Sequence, residues 1–266
     1  MTAGNIRTVL LKILKWLGIT VASILFLMFI IPILFPGQIS NQVKIFANKH
    51  LAGKLDYKKT HLTFFRHFPS LTVSVDDFLL KGSKPFEQDT HLAAKEVSVG
   101  INLKNLIFDQ EIKIDEIYVN DAVANVFVNS KGQANYNVYI SKPSEKPKDS
   151  TEVGASIKLD LIKLKNWNIK YNDHAANVLV NAKGLNYTGK GGLSEEIFDL
   201  ETDLGIYKLD FALNRIWYAK EKSLHADLIT RINTNALTFV LRKNELRINE
   251  LPLKFTGFVS ILKDGY

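Results

Sequence analysis

Apolar and polar residues alternate along most of the chain from Lys54 onward, a period of two that is typical of strands with one apolar face. Turn signals separate the runs, and no sustained helical pattern intervenes. We therefore expect a mainly β fold with a long, mostly antiparallel sheet. The alternating runs include Leu71, Val73 and Val75; Val97, Val99, Ile101 and Leu103; Ala122, Ala124, Val126 and Val128; Leu224, Ala226 and Leu228; and Leu251, Leu253 and Phe255.

Two runs change phase, within the segments Val75–Phe78 and Ile114–Ile117. In each, a pair of acidic residues, Asp76-Asp77 or Asp115-Glu116, separates two apolar residues. A β-bulge at each pair would return the apolar residues to one face and would also bend the strand. The predicted sheet is therefore curved and forms an apolar groove.

Near the start of the chain, Trp16–Phe35 carries no charge, and thirteen of its residues are Leu, Ile, Val or Phe. A helix of this length spans about 30 Å, the thickness of a bilayer's hydrocarbon core. Arg7, Lys12 and Lys15 precede it without an acidic residue, so the positive-inside rule places the N-terminus in the cytoplasm. A cleaved signal peptide is the alternative, but it would have a shorter apolar core and a small-residue cleavage site. We expect residues 1–35 to form the cytoplasmic N-terminus and a single transmembrane anchor.

The rest of the chain divides by pattern. An apolar stripe at helical spacing predicts a short amphipathic helix over residues 38–52. A first β segment over 53–140 follows, and 141–156, rich in Ser, Pro and charge, is predicted to be a linker or long loop. A second β segment occupies 157–266 and is expected to continue beyond the given C-terminus.

Composition narrows the possible partners and chemistry. The formal net charge is +7 and the pI about 9.3, but the basic residues are dispersed among acidic ones, so no nucleic-acid partner is predicted. The absence of cysteine excludes disulfides and Cys-ligated metals.

Catalytic motifs are also missing from the sequence. His61 and His67 would lie about 20 Å apart along a strand, too far to share a metal. Asp76 and Asp77 are adjacent strand residues, so they would point to opposite faces rather than form a catalytic pair. We predict no enzymatic activity, no catalytic residues, no cofactor and no metal.

Three stretches carry a family resemblance: Phe65–Phe78 (FRHFPSLTVSVDDF), Val126–Tyr136 (VFVNSKGQANY) and Trp167–Asp173 (WNIKYND). The first is similar to a strand that begins "FP-s-l-t-l" in AsmA-like proteins. The second resembles the family's "d-x-x-G-x-x-N-[WY]" hairpin, with Asn129 where Asp is common, and the third its "l-x-i-x-Y-x-D" element. Together with the predicted anchor and amphipathic helix, these stretches resemble the N-terminal region of the AsmA-like family. This family is related to the chorein-type bridge-like lipid-transfer proteins.

The resemblance implies a curved β trough with an apolar lining and a role in phospholipid transport between membranes or in outer-membrane biogenesis. It implies a bacterial inner-membrane protein with a periplasmic body and membrane phospholipids as partners. Alternation places six side chains toward lipid, or equally into an ordinary dry core: Leu71, Val73, Val75, Val97, Val99 and Ile101.

The alternative function is a non-catalytic scaffold or assembly factor for outer-membrane proteins. Such a protein would hold outer-membrane or periplasmic partners by strand addition at an exposed sheet edge.

Overall fold

The computed structural model describes residues 11–20, 22–23, 26, 53–63, 66–67, 70–102, 104–109, 112–138 and 155–261. The predicted helix at 38–52 lies outside these residues, as do much of the predicted anchor and nearly all of the predicted linker. Residues 11–20 are helical. None of the described helices has the length and apolar character needed to span a membrane.

Twelve strands account for most of the described residues. The first six are β1 (Leu55–Asp56), β2 (Lys59–Thr63), β3 (Leu71–Lys81), β4 (Thr90–Ile101), β5 (Ile112–Val128) and β6 (Ala155–Asp173). The others are β7 (Val178–Lys190), β8 (Ile197–Leu213), β9 (Ile216–Asn233), β10 (Thr238–Ile248), β11 (Leu251–Leu253) and β12 (Gly257–Ser260). A single π-helical turn, Asn105–Asp109, lies between β4 and β5.

All twelve strands belong to one open sheet in the order β1-β3-β4-β5-β6-β7-β8-β9-β10-β11, with β2 beside β3 and β12 beside β10. The prediction of a mainly β fold with a long, curved sheet is confirmed. The sheet is mixed, because β5 and β6 run parallel while the other neighbouring strands are antiparallel. Parallel strands need a crossover connection, and the described residues 129–138 begin the return of the chain from the end of β5.

The hairpin after β5 gives the Val126–Tyr136 motif its structural role. Asn129 Oδ1 accepts hydrogen bonds from the backbone N–H groups of Lys131 (2.9 Å) and Gln133 (3.0 Å), and Gly132 supplies the φ of 77° that the turn requires. The reversed chain then pairs with the end of β5 through a bridge between Ala134 and Val128. The motif therefore fixes where β5 ends and the crossover begins.

The two predicted bulges had different outcomes. At Asp115-Glu116 the pairing with β4 shifts by one residue next to Gly100, so this bulge is confirmed. At Asp76-Asp77 the prediction was wrong, because the register with β4 is the same before and after the pair. Asp77 instead takes a left-handed φ of 51°, which a short polar side chain tolerates. Here β4 makes the same phase change as β3, so no extra residue is needed.

We predict that Asn135→Ala lowers the free energy of unfolding by about 2–4 kcal/mol. Asn135 is 2% exposed; its Oδ1 accepts from the N–H of Phe127 (2.9 Å), and its Nδ2 donates to the carbonyl of Asn125 (2.7 Å). Alanine would leave both backbone groups without these partners. Urea unfolding followed by circular dichroism measures the change. Gln133→Ala, at an exposed position of the same hairpin, should shift stability by less than about 0.5 kcal/mol. Equal losses in both variants would contradict this role.

Candidate functional site

The strands from β3 to β8 share one irregularity, which we call the crease. At the crease each strand places two successive residues between apolar residues of one face, whereas a regular strand would place one. Ala94 and Val97, for example, pack in the same apolar cluster although two residues separate them. The six intervening pairs are Asp76-Asp77, Lys95-Glu96, Asn120-Asp121, Lys165-Asn166, Lys183-Gly184 and Tyr207-Lys208.

The pairs lie side by side from β3 to β6 and again in β7 and β8, but the line is offset between β6 and β7, where Lys165-Asn166 faces Asn186 and Lys183-Gly184 faces Asn168. The cross-strand partners along this line are Asp76 with Glu96, Glu96 with Asn120, Asn120 with Lys165, and Lys183 with Lys208. Left-handed φ values recur at the crease, at Asp77 (51°), Asp121 (52°), Asn166 (54°) and Gly184 (63°). Because neighbouring strands change phase at the same register, apart from the offset between β6 and β7, the sheet bends along one stepped line.

Side-chain oxygens replace backbone partners where the crease interrupts the ladder. Asn186 Oδ1 accepts from the N–H of Asn166 (3.1 Å), and Asn168 Oδ1 accepts from the N–H of Gly184 (3.2 Å). Asn166 Nδ2 donates to Asp121 Oδ1 at 2.6 Å, which links β6 to β5. These bonds satisfy backbone donors that the bend would otherwise leave unpaired.

One face of the sheet, which we call the inner face, carries a continuous apolar strip. One cluster centres on Ala94, Val119 and Ala122, and a second centres on Ala182, Leu185 and Ile206. Leu164 and Trp167 pack against both clusters and join them. Partly buried residues complete the strip: Phe78, Leu92, Val97, Ile117, Ile169, Tyr187, Leu204, Leu209 and Leu224.

Trp167 is held by a polar contact inside this strip. Its Nε1 donates to the carbonyl oxygen of Val119 at 3.1 Å, so the indole ring spans β6 and β5 next to the crease. Among the described residues, no helix or second sheet packs across the strip. An apolar sheet face is normally covered by a second layer.

The six predicted lining residues come together on the inner face. Their cross-strand pairs are Leu71 with Ile101, Val73 with Val99, and Val75 with Val97. Val75 is buried and the other five are half-buried. They extend the strip to the start of β3 and the end of β4. Their contact with lipid stays a prediction.

We call the opposite side of the sheet the outer face. In β3 and β4, the side chains of the outer face that alternate with the six lining residues are polar. Thr72, Ser74 and Ser98 are at most 2% exposed there, and the hydroxyls of Ser74 and Ser98 lie 2.7 Å apart. Arg66 Nη1 reaches Glu96 Oε1 at 2.8 Å. His67 covers this layer: its Nδ1 lies 3.1 Å from Thr72 Oγ1, and its ring stacks on Tyr118 with a centroid distance of 3.7 Å. We call these contacts the polar clamp.

Burial sets the pKa values within the polar clamp. Burial lowers the pKa of His67, with further contributions from the cations Arg66 and Lys163 against the opposing effect of Glu96. Burial also raises the pKa of Glu116, and burial together with Glu116 raises the pKa of Tyr118 to about 12. His61 belongs to a separate contact, with its Nε2 2.6 Å from Asp76 Oδ2.

The sequence analysis found two of the phase changes but missed that neighbouring strands share them. The signal was present as two successive polar or small residues between apolar ones, as in Val119–Ala122 and Leu164–Trp167. Trp167 was quoted only as part of a motif, and its place joining two clusters was not predicted. Among the described residues, no group of three or more His, Asp or Glu side chains could hold a metal.

The fold and the strip together define a long, open, curved β-sheet protein with one continuous apolar face. A scan against family models adds the identity of the group. The model of the AsmA family matches residues 10–202, and the chain belongs to this family. No curated protein matches the sequence significantly.

We predict that His67 makes the fold less stable as the pH falls. The pKa of His67 is lower in the fold than the ordinary value of about 6.5, so the unfolded chain takes up the proton first and stability falls below about pH 6.5. His67→Phe keeps a ring over Tyr118 but cannot titrate. Urea unfolding at about pH 8 and about pH 5.5 should therefore show a smaller loss in the variant.

Glu116 acts in the opposite direction, because its raised pKa makes the folded chain take up the proton first. Glu116 is present in both the parent chain and the His67→Phe variant. Its contribution therefore cancels when the pH dependence of the variant's stability is subtracted from that of the parent chain. The same pH dependence in His67→Phe and in the parent chain would contradict the prediction.

Proposed function

We propose that the apolar strip binds the acyl chains of membrane phospholipid, and that the protein takes part in phospholipid transport between membranes and in outer-membrane biogenesis. Membership of the AsmA family is consistent with such a role. The observation that carries the proposal is the strip itself, an apolar surface shared by neighbouring strands with no described layer above it.

Hydrocarbon chains suit this surface better than a compact ligand does. Each strand adds about 4.8 Å to the strip along the crease, so its length grows with the number of strands. Small residues such as Ala94, Ala122 and Ala182 form its floor, and larger ones such as Leu204 and Leu209 remain half-buried beside them. Covering these residues removes apolar area from water, at about 25 cal/mol per Å².

The start of the sheet supports a site close to the predicted anchor. Gly53 lies against the last residue of β3, where an added Cβ would meet the carbonyl oxygen of Lys81 at 2.2 Å. Only glycine fits such an approach. We propose that the anchor holds the protein in the bacterial inner membrane with the sheet in the periplasm. The β1–β3 end of the strip would then lie nearest that membrane, and the strip would act without chemical catalysis.

A scaffold function remains the second candidate because of the sheet edge at β11 and β12. No described strand pairs with the free edge of β11 or of β12, and Phe258 and Val259 in β12 are exposed. An extended segment of an outer-membrane protein could add there as a further strand. Purification of a specific protein complex that contains no lipid would favour this function.

We predict that a photoreactive residue on the strip captures phospholipid in cells. Leu204 and Asp203 are neighbours in β8; Leu204 packs in the strip, whereas Asp203 is exposed on the outer face. Benzoylphenylalanine at Leu204, or at Val99 among the sequence-predicted residues, should give phospholipid adducts by mass spectrometry. The same group at Asp203 is the matched control and should give few. Absence of adducts at both strip positions, or equal yields at Asp203, would overturn the proposal.

We also predict that the anchor positions the strip at the membrane. Replacing residues 1–35 with a cleavable secretion signal should leave the sheet folded but abolish lipid capture at Leu204, because lipid could no longer enter directly from the bilayer. An unrelated single-pass helix at the same place is the control and should preserve capture. Full capture by the secreted, unanchored protein would contradict this role.

A further inference from the structure

Of the described residues that form the apolar strip, Trp167 and Tyr187 are the two whose side chains carry a polar hydrogen. The Nε1–H of Trp167 donates to the carbonyl oxygen of Val119 at 3.1 Å. The hydroxyl of the half-buried Tyr187 has no hydrogen-bond partner among the described residues. Acyl chains that cover the strip would take this hydroxyl out of water. Because burying a donor without a partner is costly, the ligand that covers Tyr187 must bring an acceptor.

The hydroxyl of Tyr187 lies over a glycine of the same strand. Gly189 is two residues further along β7 and so lies on the same face, and a Cβ added to it would meet the Tyr187 hydroxyl at 2.3 Å. Glycine therefore leaves the space in which the Tyr187 ring lies along the strand. Thr202 in β8 is the direct cross-strand partner of Gly189, and facing Cβ positions lie about 5 Å apart. The Tyr187 hydroxyl and the Thr202 side chain are therefore neighbours on the inner face.

Thr202 adds a second hydroxyl at this place. It lies two residues before Leu204 of the strip, so its side chain points to the inner face. It is half-buried, and its hydroxyl has no hydrogen-bond partner in the described part of the chain. Its cross-strand partner in β9 is the aliphatic Leu228. Tyr187 and Thr202 therefore place two free donors within an apolar surface, and we call them the hydroxyl pair.

We propose that the hydroxyl pair binds the ester carbonyl groups of the phospholipid, so that the strip selects diacyl lipids over lipids that lack these carbonyls. This inference rests on the proposed function of the strip and names the part of the ligand that lies at β7 and β8. A hydroxyl donates to a neutral carbonyl oxygen without any need for charge. The ester carbonyls directly adjoin the acyl chains, whereas the phosphate lies beyond the glycerol. With the carbonyls at the hydroxyl pair, the acyl chains can extend over the aliphatic residues of the strip.

Competition between two lipids for the full chain tests this selection. The purified protein in detergent is offered an equal mixture of diacyl and dialkyl phosphatidylethanolamine of the same chain length. The dialkyl lipid keeps the headgroup and the phosphate but has a CH₂ group in place of each ester carbonyl. Native mass spectrometry measures the ratio of bound diacyl to bound dialkyl lipid. We expect the parent chain to favour the diacyl lipid about ten-fold, because the dialkyl lipid leaves the two hydroxyl donors unpaired.

Variants of the hydroxyl pair connect this ratio to the two donors. Tyr187→Phe together with Thr202→Val removes both hydroxyls at nearly constant shape and should bring the ratio close to one. Gly189→Ala keeps both hydroxyls but displaces that of Tyr187, so it should also lower the ratio. Thr202→Ser keeps its hydroxyl and should preserve the preference. Tyr207→Phe and Thr188→Val make the same chemical changes on the outer face of β8 and β7 and should leave the ratio unchanged.

The ratio separates this inference from the proposed function. Both lipids meet the same protein in each measurement, so a loss of stability alone does not change their ratio. A parent-chain ratio near one would show that the phosphate or the chains alone are recognised, and it would overturn the inference while lipid binding by the strip stands. An unchanged ratio in the double variant, or an equal change in the outer-face controls, would also overturn it. If neither lipid binds the folded parent chain, the proposed function fails and this inference fails with it.

Discussion

The structure depends on a phase change that the strands β3 to β8 share at the same register, apart from one offset between β6 and β7. Two successive residues occupy the outer side of each strand at the crease, and the flanking apolar residues pack together on the inner side. A phase change in a single strand would move half of its apolar residues to the wrong face. When β3 and β4 change phase together, the cross-strand pairs remain matched, and the sheet bends instead of breaking. The curvature and the continuous strip have this common origin.

The polar groups of the crease make this bend possible. Asp77, Asp121 and Asn166 adopt left-handed φ values that β-branched strand residues would resist. The side chains of Asn186 and Asn168 then accept hydrogen bonds from backbone donors on the facing strand. The bend is therefore built from short polar residues on the outside and aliphatic residues on the inside. Its polar components lie away from the proposed lipid site.

The two faces of the sheet differ in their chemistry. The inner face offers half-buried aliphatic side chains, and the outer face offers hydrogen-bonding and charged groups. Behind Val73 and Val99 the outer face is closed by the polar clamp, and around Lys183 it carries both lysines and carboxylates, such as Lys208 and Glu221. Alternation along each strand keeps the two sets of side chains apart, so the polar groups of the outer face do not enter the apolar strip.

The sequence by itself determined the mainly β class, the shared face of Leu71, Val73, Val75, Val97, Val99 and Ile101, the bulge at Asp115-Glu116, and the likeness to the AsmA family. These follow from period-two alternation and short motifs, which are local along the chain. Only the tertiary structure decided that the phase changes align into one crease, that β5 and β6 pair in parallel, and that Trp167 joins two clusters. Cross-strand register depends on hydrogen bonds between residues distant in sequence. The pattern of a single strand therefore shows where its phase changes but not which residues of its neighbours lie beside that point.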